Sequence, residues 1–390
     1  MEIRKILPEE HMEILKMRSA SYNSKKDFSD LEKTKRGYEK VRAIFDDSGK
    51  ACSTTCIEPY TIKFNGNDVK MGGIGAVATL PQERNKGHVR KLFHYCFEEM
   101  RANDQIFSFL FPFSHPYYRM FGYELCYDRQ LVNMPLNAFT DLKAPGRAEL
   151  FVYDRDLDVL KDIYATFTAN KNLAVVRTDE GWKALFDKDN YKELYNTYIW
   201  YDSDDNPSCY VSYDASSEVQ NEMNVKELAF KSYDALKGML GFLSTFHPVF
   251  KAFKGYFPSF IDFTLIVPEP ILMRRELSTG GMNRIIDVEK VLGYTNTPNI
   301  NARANIEVED KSIAWNNGIF TLSFEDGSVH VEKTTAAPDL SCDIQALTRF
   351  AVGYTSFSKE LEYNTVKLYG KQELLTSLFP QKEMFMTEDY

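Results

Sequence analysis

The chain has 390 residues, of which 44% are hydrophobic, including 28 Phe and 23 Tyr. This length exceeds what one hydrophobic core usually organises, so we expect two or three domains. The formal net charge of −9 argues against a nucleic-acid partner, because an acidic surface repels phosphates.

The six cysteines are scattered along the chain. Cys52 and Cys56 are close in sequence, but neither a second pair nor clustered histidines complete a zinc site. We therefore expect no metal and reduced thiols, which are typical of a cytoplasmic protein. The first residues contain no apolar core of signal-peptide length, and no run of about 18 apolar residues occurs, so no membrane span is expected.

The first third of the chain predicts a mixed sheet with helices packed on it. A short strand at Ile3–Leu7 leads through Pro8 into an amphipathic helix at Glu9–Ala20. Asn65-Gly66 is typical of a hairpin turn, and Lys91–Asn103 has apolar residues at helical spacing. Strands are predicted at Val41–Phe45, Ala51–Ile57, Tyr60–Phe64, Val69–Gly73, Ile74–Leu80 and Ile106–Phe111.

The loop before the second predicted helix, Arg84–Arg90, combines a glycine with basic side chains. The first N–H groups of a helix lack intrahelical partners, and the helix dipole adds positive charge there. Gly87 lets the backbone approach a ligand closely, and Arg84, Lys86 and Arg90 surround it with charge. The pattern fits a phosphate-binding loop; a basic surface loop that caps the helix is the alternative.

Two landmarks connect this part of the chain to a known family. The spacing Arg84-x-x-Gly87-x-Val89 resembles the acetyl-CoA pyrophosphate loop of GCN5-related N-acetyltransferases (GNATs), usually Gln/Arg-x-x-Gly-x-Gly/Ala, with Val89 departing from the last position. Further along, Tyr118–Tyr123 resembles the Tyr-x-x-x-Gly-aromatic element that follows the fourth strand of that fold. A short core helix capped by glycine is the alternative there. Two landmarks in the right order favour an acetyltransferase.

A second unit follows Pro145-Gly146 and repeats this order of elements. Tyr195–Tyr201 and Cys209–Tyr213 are typical of a hairpin, and Val225–Phe230 leads into a helix at Ser232–Phe246. No basic glycine loop separates that last strand from its helix. We predict a second acetyltransferase-like domain that lacks the cofactor loop.

A third unit begins at about Arg284 and resembles a sterol-carrier-protein-like domain. The segments that carry this resemblance are Glu325-Asp326-Gly327, Val331-Glu332 and Ala337-Pro338-Asp339-Leu340.

Over essentially its whole length the chain resembles the Eis (enhanced intracellular survival) family of N-acetyltransferases, with Met282–Val288 as a further match at the last junction. The resemblance implies an α/β fold with mixed sheets. It implies a catalytic GNAT domain at residues 1–148, a degenerate GNAT-like domain at 149–283 and a sterol-carrier-protein-like domain (SCP2-like) at 284–390. It also implies acetyl transfer from acetyl-CoA to amines, including those of aminoglycosides, and a homo-hexamer.

The resemblance also implies roles for particular residues. Tyr118 corresponds to the family's general acid, and the C-terminal carboxylate, here on Tyr390, corresponds to its base. Phe113 and Ser114 would line the far end of the cofactor site. The pantetheine arm would face the strand backbone of Val77, Ala78 and Thr79, and the pyrophosphate would be held by Arg84, Asn85, Lys86, Gly87, His88, Val89 and Arg90.

The chemistry requires these two kinds of group. An ammonium must lose a proton before it attacks a thioester, and the leaving thiolate gains from receiving one; each positioned proton transfer typically contributes about 10²–10⁴-fold. A chain end usually frays, but Leu378-Phe379-Pro380 and Met384-Phe385-Met386 supply apolar anchors that can draw the tail into another domain. A disordered tail is the alternative.

Other candidates stay open from the sequence. Tyr117 is an alternative acid, and His115 is a candidate base that more often would be structural. Three acidic residues are candidates for an acceptor pocket, and the alternative is a solvated charged turn; they are Asp27, Asp30 and Glu32.

We therefore expect a cytoplasmic N-acetyltransferase that acts on a small aminoglycoside-like or polyamine-like amine, with no nucleic-acid or membrane partner. The alternatives are a lipid or small-molecule carrier with a relic transferase domain, and a protein-lysine acetyltransferase. Turnover of acetyl-CoA distinguishes a transferase from a carrier, and the identity of the acetylated amine distinguishes the two kinds of transferase.

Overall fold

The protein is seen here in a computed structural model that describes residues 1–25, 37–216, 221–298, 300–386 and 388. The strands are β1 Glu2–Lys5, β2 Val41–Phe45, β3 Ala51–Phe64, β4 Asn67–Thr79, β5 Gln105–Leu110, β6 Glu124–Leu125, β7 Asp128–Pro135, β8 Gly146–Leu150, β9 Tyr195–Asp202, β10 Pro207–Asp214, β11 Glu222–Phe230, β12 Ala252–Pro258, β13 Arg274–Thr279, β14 Met282–Ile285, β15 Ala302–Glu309, β16 Gly318–Glu325, β17 Ser328–Thr334, β18 Leu340–Asp343 and β19 Val366–Leu368. The helices are α1 His11–Tyr22, α2 His88–Ala102, α3 His115–Arg119, α4 Tyr153–Thr168, α5 Asp179–Phe186, α6 Tyr233–Ser244, α7 Val288–Leu292, α8 Ile344–Val352, α9 Phe357–Glu362 and α10 Gln372–Leu378.

The first compact unit comprises residues 1–126 and 281–382 and includes Glu388. Its larger sheet has the order β1-β2-β3-β4-β5-β14-β6, in which β4 and β5 are parallel and the other neighbours are antiparallel. The predicted turn joins β3 to β4, and both Asn65 and Gly66 have positive φ, as a tight hairpin needs. The prediction of a mixed sheet is confirmed.

Strand β3 runs without a break through Glu58-Pro59, where the sequence predicted two separate strands. Pairing with β2 ends at Val41 opposite Cys56, so Pro59 lies beyond that neighbour and pairs with Gly72 of β4 alone. A proline is tolerated where one edge of a strand is unpaired, because its missing N–H removes no ladder bond.

Strand β14 completes the first sheet, although it follows the second unit in the chain. It lies between β5 and β6, with Met282 opposite Leu110 and Leu125. Strand β14 also carries Arg284, which is fully buried and pairs with Asp310 at 2.6 Å. The Arg284 guanidinium donates a second hydrogen bond to the carbonyl oxygen of Phe121.

The first unit also contains a five-stranded sheet of order β17-β16-β15-β18-β19. The segment Glu325-Asp326-Gly327 forms the turn that joins β16 to β17, and Asp326 and Gly327 have positive φ. Helix α8 begins at Ile344, because the Asp343 side chain caps it by accepting a hydrogen bond from the Ala346 N–H at 2.7 Å.

The second compact unit comprises residues 127–280 and the tail segment from Glu383. Its sheet has the order β13-β7-β12-β11-β10-β9-β8, with β11 and β12 parallel. The predicted hairpin is the antiparallel pair β9–β10. Strands β7 and β8 begin before residue 148, so the segment 127–148, which the sequence assigned to the first domain, contributes to this second sheet.

The apolar tail anchor predicted from the sequence is buried in this second core. The Phe385 ring packs against Tyr164 and Phe167, with ring centroids 5.9 Å and 5.2 Å away. Asn172 holds the tail backbone by donating to the Glu383 carbonyl and accepting from the Phe385 N–H, both at 3.0 Å.

Candidate active site

Strands β4 and β5 separate at one end of the first sheet. Their registered pairing ends at Gly73 opposite Phe109, whereas β4 continues to Thr79. A β-bulge interrupts the β3–β4 register between Thr54 and Cys56, and Ala76 has a φ of 50°. Because a bulge bends its strand, residues 74–79 diverge from β5 and leave a strand edge for a ligand.

Three hydroxyl groups hold the backbone carbonyls at this strand edge. The Tyr22 hydroxyl donates to the Val77 oxygen at 2.8 Å, and the Ser21 hydroxyl donates to the Thr79 oxygen at 3.3 Å. From β3, the Ser53 hydroxyl donates to the oxygen of the intervening Ala78 at 3.0 Å. The carbonyl groups of Val77, Ala78 and Thr79, which are predicted to face pantetheine, therefore each accept a hydrogen bond from a side-chain hydroxyl group.

The predicted phosphate loop lies between β4 and α2. Gly87 has a φ of 77° and immediately precedes the helix, and Asn85 also has a positive φ of 61°. The first intrahelical bond runs from the Lys91 N–H to the Gly87 oxygen at 3.2 Å, which leaves the N–H groups of residues 88–90 outside the helical ladder. This is the arrangement that binds an anion at a helix N-terminus.

The basic side chains of the loop are exposed. Arg84 reaches back to the Ser21 carbonyl at 3.4 Å, and Lys86 pairs with Glu83 at 3.0 Å. Arg90 lies with its guanidinium carbon 5.8 Å from the centre of the Phe121 ring. The loop thus offers positive charge around the free N–H groups. The apolar face predicted for α2 is buried beneath it and consists of Leu92, Phe93, Cys96, Phe97 and Met100.

The side chain of His88 differs from its neighbours in the loop. It is 3% exposed, and its Nε2 lies 3.0 Å from a carboxylate oxygen of Glu83. Only its backbone N–H is therefore available to a ligand of the loop.

The predicted acid, Tyr118, is placed by the short helix α3. Its N–H donates to the Ser114 carbonyl at 3.3 Å, and its ring is 4% exposed. Burial raises the pKa of Tyr118 above the usual tyrosine value, and the neighbouring phenols of Tyr117 and Tyr22 raise it further. A phenol in this environment stays protonated at neutral pH, as a proton donor must. The aromatic rings around it are Phe93, Phe113, Tyr117 and Tyr123.

Two adjacent tyrosines have different neighbours. Tyr117 is partly buried, and burial raises its pKa while the charge of Arg90 opposes the shift. Tyr118 instead lies within electrostatic reach of Tyr22, whose hydroxyl holds the Val77 carbonyl. The two phenols therefore differ in the groups that shift their pKa: Arg90 acts on Tyr117, and Tyr22 acts on Tyr118.

The glycine of the Tyr118–Tyr123 element has a clear structural reason. Gly122 has a φ of 79°, and a side chain there would collide with the Arg284 guanidinium. Phe113 is 74% exposed beside the tyrosines, and Ser114 occupies the N-cap position of α3. The ring nitrogen Nε2 of His115 is buried and has no hydrogen-bond partner within the described part of the chain.

Several predicted residues lie outside the described part of the chain. They are Asp27, Asp30, Glu32 and Tyr390. Near the chain end, Glu388 belongs to the first compact unit, and its charge adds to burial and to the charge of Glu58 in raising the pKa of Tyr60.

Sequence reasoning missed two features of this region. The role of Tyr22 was not foreseen, because an exposed aromatic at a helix end carries no pattern. The proximity of Cys52, Glu83 and His88 was missed too, since it depends on how β3 pairs with β4.

Among the described residues, no helix has both the length and the apolar character that a membrane span requires.

Comparison with known families separates the chain into three matches. Residues 2–126 match an acetyltransferase (GNAT) domain, and residues 173–285 match a second acetyltransferase (GNAT) domain. Residues 288–387 match a sterol carrier protein domain. No curated protein sequence matches the chain.

Solved structures share this fold over the full length. A probable N-acyltransferase from Enterococcus faecalis V583 has 22% identity and a TM-score of 0.85, covering 98% of this chain and 99% of that one. A GCN5-related N-acetyltransferase from Anabaena variabilis has 20% identity and a TM-score of 0.87, covering 100% of both chains. Eis1 from Mycobacterium abscessus has 17% identity and a TM-score of 0.80, also covering 100% of both.

These matches confirm the predicted α/β architecture of two GNAT domains followed by a sterol-carrier-protein-like domain. Enzymes of the GNAT class take acetyl-CoA as co-substrate and act on small molecules. The chain therefore contains two acetyltransferase (GNAT) domains and a sterol carrier protein domain.

Proposed function

We propose that the enzyme transfers an acetyl group directly from acetyl-CoA to a primary amine of an aminoglycoside-like or polyamine-like acceptor, as the Eis resemblance implies. The observation that carries this proposal is the presence of three features together in the first unit. These are the basic loop at the start of α2, the edge of β4 beyond Gly73, and the buried phenol of Tyr118. The resemblance extends the proposal to a cytoplasmic homo-hexamer.

In this proposal the loop Arg84–Arg90 holds the diphosphate. Its free N–H groups and the helix dipole favour the anion, and its exposed basic side chains add charge–charge attraction. The pantetheine arm follows the backbone of Val77, Ala78 and Thr79. Phe113 and Ser114 line the other end of the cofactor site.

The chemical step is one displacement at the thioester. The amine nitrogen forms a bond to the carbonyl carbon, and the carbon–sulfur bond breaks. The Tyr390 carboxylate takes the proton that the amine loses, directly or through water, and the Tyr118 phenol gives a proton to the departing sulfur. Backbone N–H groups of β4 stabilise the developing oxyanion. None of these transfers calls for a metal ion.

The anchoring of the tail supports the role given to the chain end. Phe385 packs in the core of the second unit, five residues before Tyr390 in the sequence. An anchored tail costs less conformational entropy to place than a free one, so a terminal carboxylate on it is a suitable base.

The test of the proposed function is turnover of acetyl-CoA by the purified full-length protein with a panel of aminoglycosides, polyamines and lysine peptides. We expect release of CoA thiol with cationic small amines and a product heavier by one acetyl group. Absence of thiol release with every amine would overturn the proposal in favour of a carrier. Turnover of lysine peptides alone would make the enzyme a protein-lysine acetyltransferase.

A further inference from the structure

Three chemically distinct donors meet beneath the phosphate loop. They are the thiol of Cys52 in β3, a carboxylate oxygen of Glu83 before the loop, and a ring nitrogen of His88 at the start of α2. One donor atom from each lies within 4.8 Å of the other two. Cys52 and His88 are buried, and Glu83 is partly exposed.

Strand pairing explains why residues so far apart in sequence meet here. Ser53 is opposite Thr79, and the Leu80 N–H donates to the Cys52 carbonyl at 3.1 Å. The short helical turn Pro81–Glu83 and the loop then bring the chain back over Cys52, so that Glu83 and His88 flank it.

The two nitrogens of the imidazole in this cluster differ in their hydrogen bonding. Its Nε2 lies 3.0 Å from Glu83, whereas its Nδ1 is buried and has no hydrogen-bond partner within the described residues. Because Nε2 is the nitrogen that faces Glu83, an ion shared with this carboxylate would bind at Nε2 and replace the Nε2–Glu83 hydrogen bond. The observation that points to a ligand is therefore the convergence of a buried thiol, a buried imidazole and a carboxylate on one small volume.

We propose that Cys52, Glu83 and His88 bind one divalent transition-metal ion, for which Zn²⁺ is the best fit. A thiolate, an imidazole and a carboxylate together are donors that Zn²⁺ accepts, and Mg²⁺ or Ca²⁺ would avoid the sulfur. Tetrahedral zinc with bonds of about 2.0–2.3 Å places its ligands roughly 3.3–3.8 Å apart. His88 Nε2 and the Glu83 oxygen are already 3.0 Å apart, and the Cys52 sulfur lies within 4.8 Å of the other two donors, so only a small approach of the sulfur is needed. Water completes the fourth position on the exposed side of Glu83.

Proton balance is consistent with this assignment. The Cys52 thiol gives its proton to solvent when the ion binds, since the thiolate is the ligand. Burial, followed by the charge of Glu83, raises the pKa of this thiol in the absence of an ion. Lys86 bonds the other Glu83 oxygen at 3.0 Å, and this contact lowers the pKa of the carboxyl group and keeps it ionised.

An ion at this site would act on the phosphate loop, because two of its ligands flank that loop. Glu83 immediately precedes the segment 84–87, and His88 immediately follows it. An ion held by both would fix the two ends of the loop. Insofar as the proposed function is correct, loss of the ion should weaken acetyl-CoA binding.

The test uses the full-length protein, stripped with a chelator and titrated with Co²⁺ as a spectroscopic probe. We expect one equivalent to bind with a thiolate-to-cobalt charge-transfer band, and Zn²⁺ to displace it. Cys52→Ser should abolish the band, and Glu83→Gln should weaken Co²⁺ binding at least about tenfold, as expected for loss of a charged ligand. The matched control is Cys56→Ser, which alters the other cysteine of β3 and should retain the band.

The outcomes that overturn the proposal are clear. One is the absence of stoichiometric Co²⁺ or Zn²⁺ binding by wild-type protein; another is a charge-transfer band that survives in Cys52→Ser. Because the band reports metal ligation directly, failure here is distinguishable from failure of the acetyltransferase proposal. Circular dichroism and thermal melting establish that each variant is folded.

Discussion

The hydroxyl of Tyr22 donates a hydrogen bond of 2.8 Å to the carbonyl oxygen of Val77, on the stretch of β4 that extends beyond β5. Tyr22 therefore connects the end of α1 to the proposed cofactor strand. Its phenol also contributes, after burial and Tyr117, to raising the pKa of the proposed acid, Tyr118.

This contact predicts that Tyr22 competes with the cofactor. If pantetheine takes the Val77 carbonyl, the Tyr22 hydrogen bond must first break, and such a bond is worth about 0.5–1.5 kcal/mol net. Tyr22→Phe should then tighten acetyl-CoA binding about two- to tenfold. Calorimetric titration with acetyl-CoA measures this directly. Weaker binding in the variant would mean that the hydroxyl supports the cofactor instead.

The raised pKa of Tyr118 predicts the alkaline side of the pH profile. A general acid works only while protonated, and burial moves its ionisation above the ordinary phenol value of about 10. We expect kcat to show no loss attributable to this phenol between pH 7 and about 10, and to fall only at higher pH. A descending limb well below the ordinary phenol pKa in wild type, absent in Tyr118→Phe, would contradict the assignment.

The buried ion pair between Arg284 and Asp310 predicts a large effect on stability. Both side chains are fully buried, and Arg284 also bonds the Phe121 carbonyl beside the tyrosine helix. Asp310→Ala leaves a guanidinium buried without its counter-charge, which typically costs about 3–5 kcal/mol. The free energy of unfolding in urea should fall by that amount.

A matched control for this pair is available on the surface. Arg303 and Glu332 lie 3.8 Å apart and are both more than half exposed. Glu332→Ala should change the urea midpoint little, because exposed pairs contribute weakly. Equal effects of the two substitutions would show that burial does not set the strength of the Arg284–Asp310 pair.

The proposed base predicts sensitivity to an extended chain end. Adding a few residues after Tyr390 moves the terminal carboxylate away while leaving every side chain in place. We expect kcat to fall by about 10²-fold or more, with unchanged thermal melting and acetyl-CoA affinity. Full activity of the extended protein would remove the carboxylate from the mechanism.

Features encoded in contiguous segments could be predicted from the sequence. Asn65-Gly66 specifies its hairpin locally, because both residues accept the positive φ that the turn requires. The loop Arg84–Arg90 and the Tyr118–Tyr123 element are also contiguous, so their resemblance to GNAT motifs could be recognised in the sequence.

Features that depend on distant pairing could not be predicted. Strand β14 is four residues long, and the whole second unit separates it from its partner β5 in the sequence, so no local pattern marks its place in the first sheet. The meeting of Cys52 with His88 likewise requires the β3–β4 register and the turn at Pro81–Glu83. In both cases tertiary packing decides which residues become neighbours.

The central claim is that Tyr118 protonates the sulfur that leaves acetyl-CoA, and comparison of Tyr118→Phe with Tyr117→Phe tests it most directly. The account predicts that Tyr118→Phe lowers kcat by about 10²–10⁴-fold while the Kd for acetyl-CoA stays within about twofold, and that Tyr117→Phe remains close to wild type in kcat. Near-normal turnover by Tyr118→Phe, or a comparable loss in Tyr117→Phe alone, would contradict it.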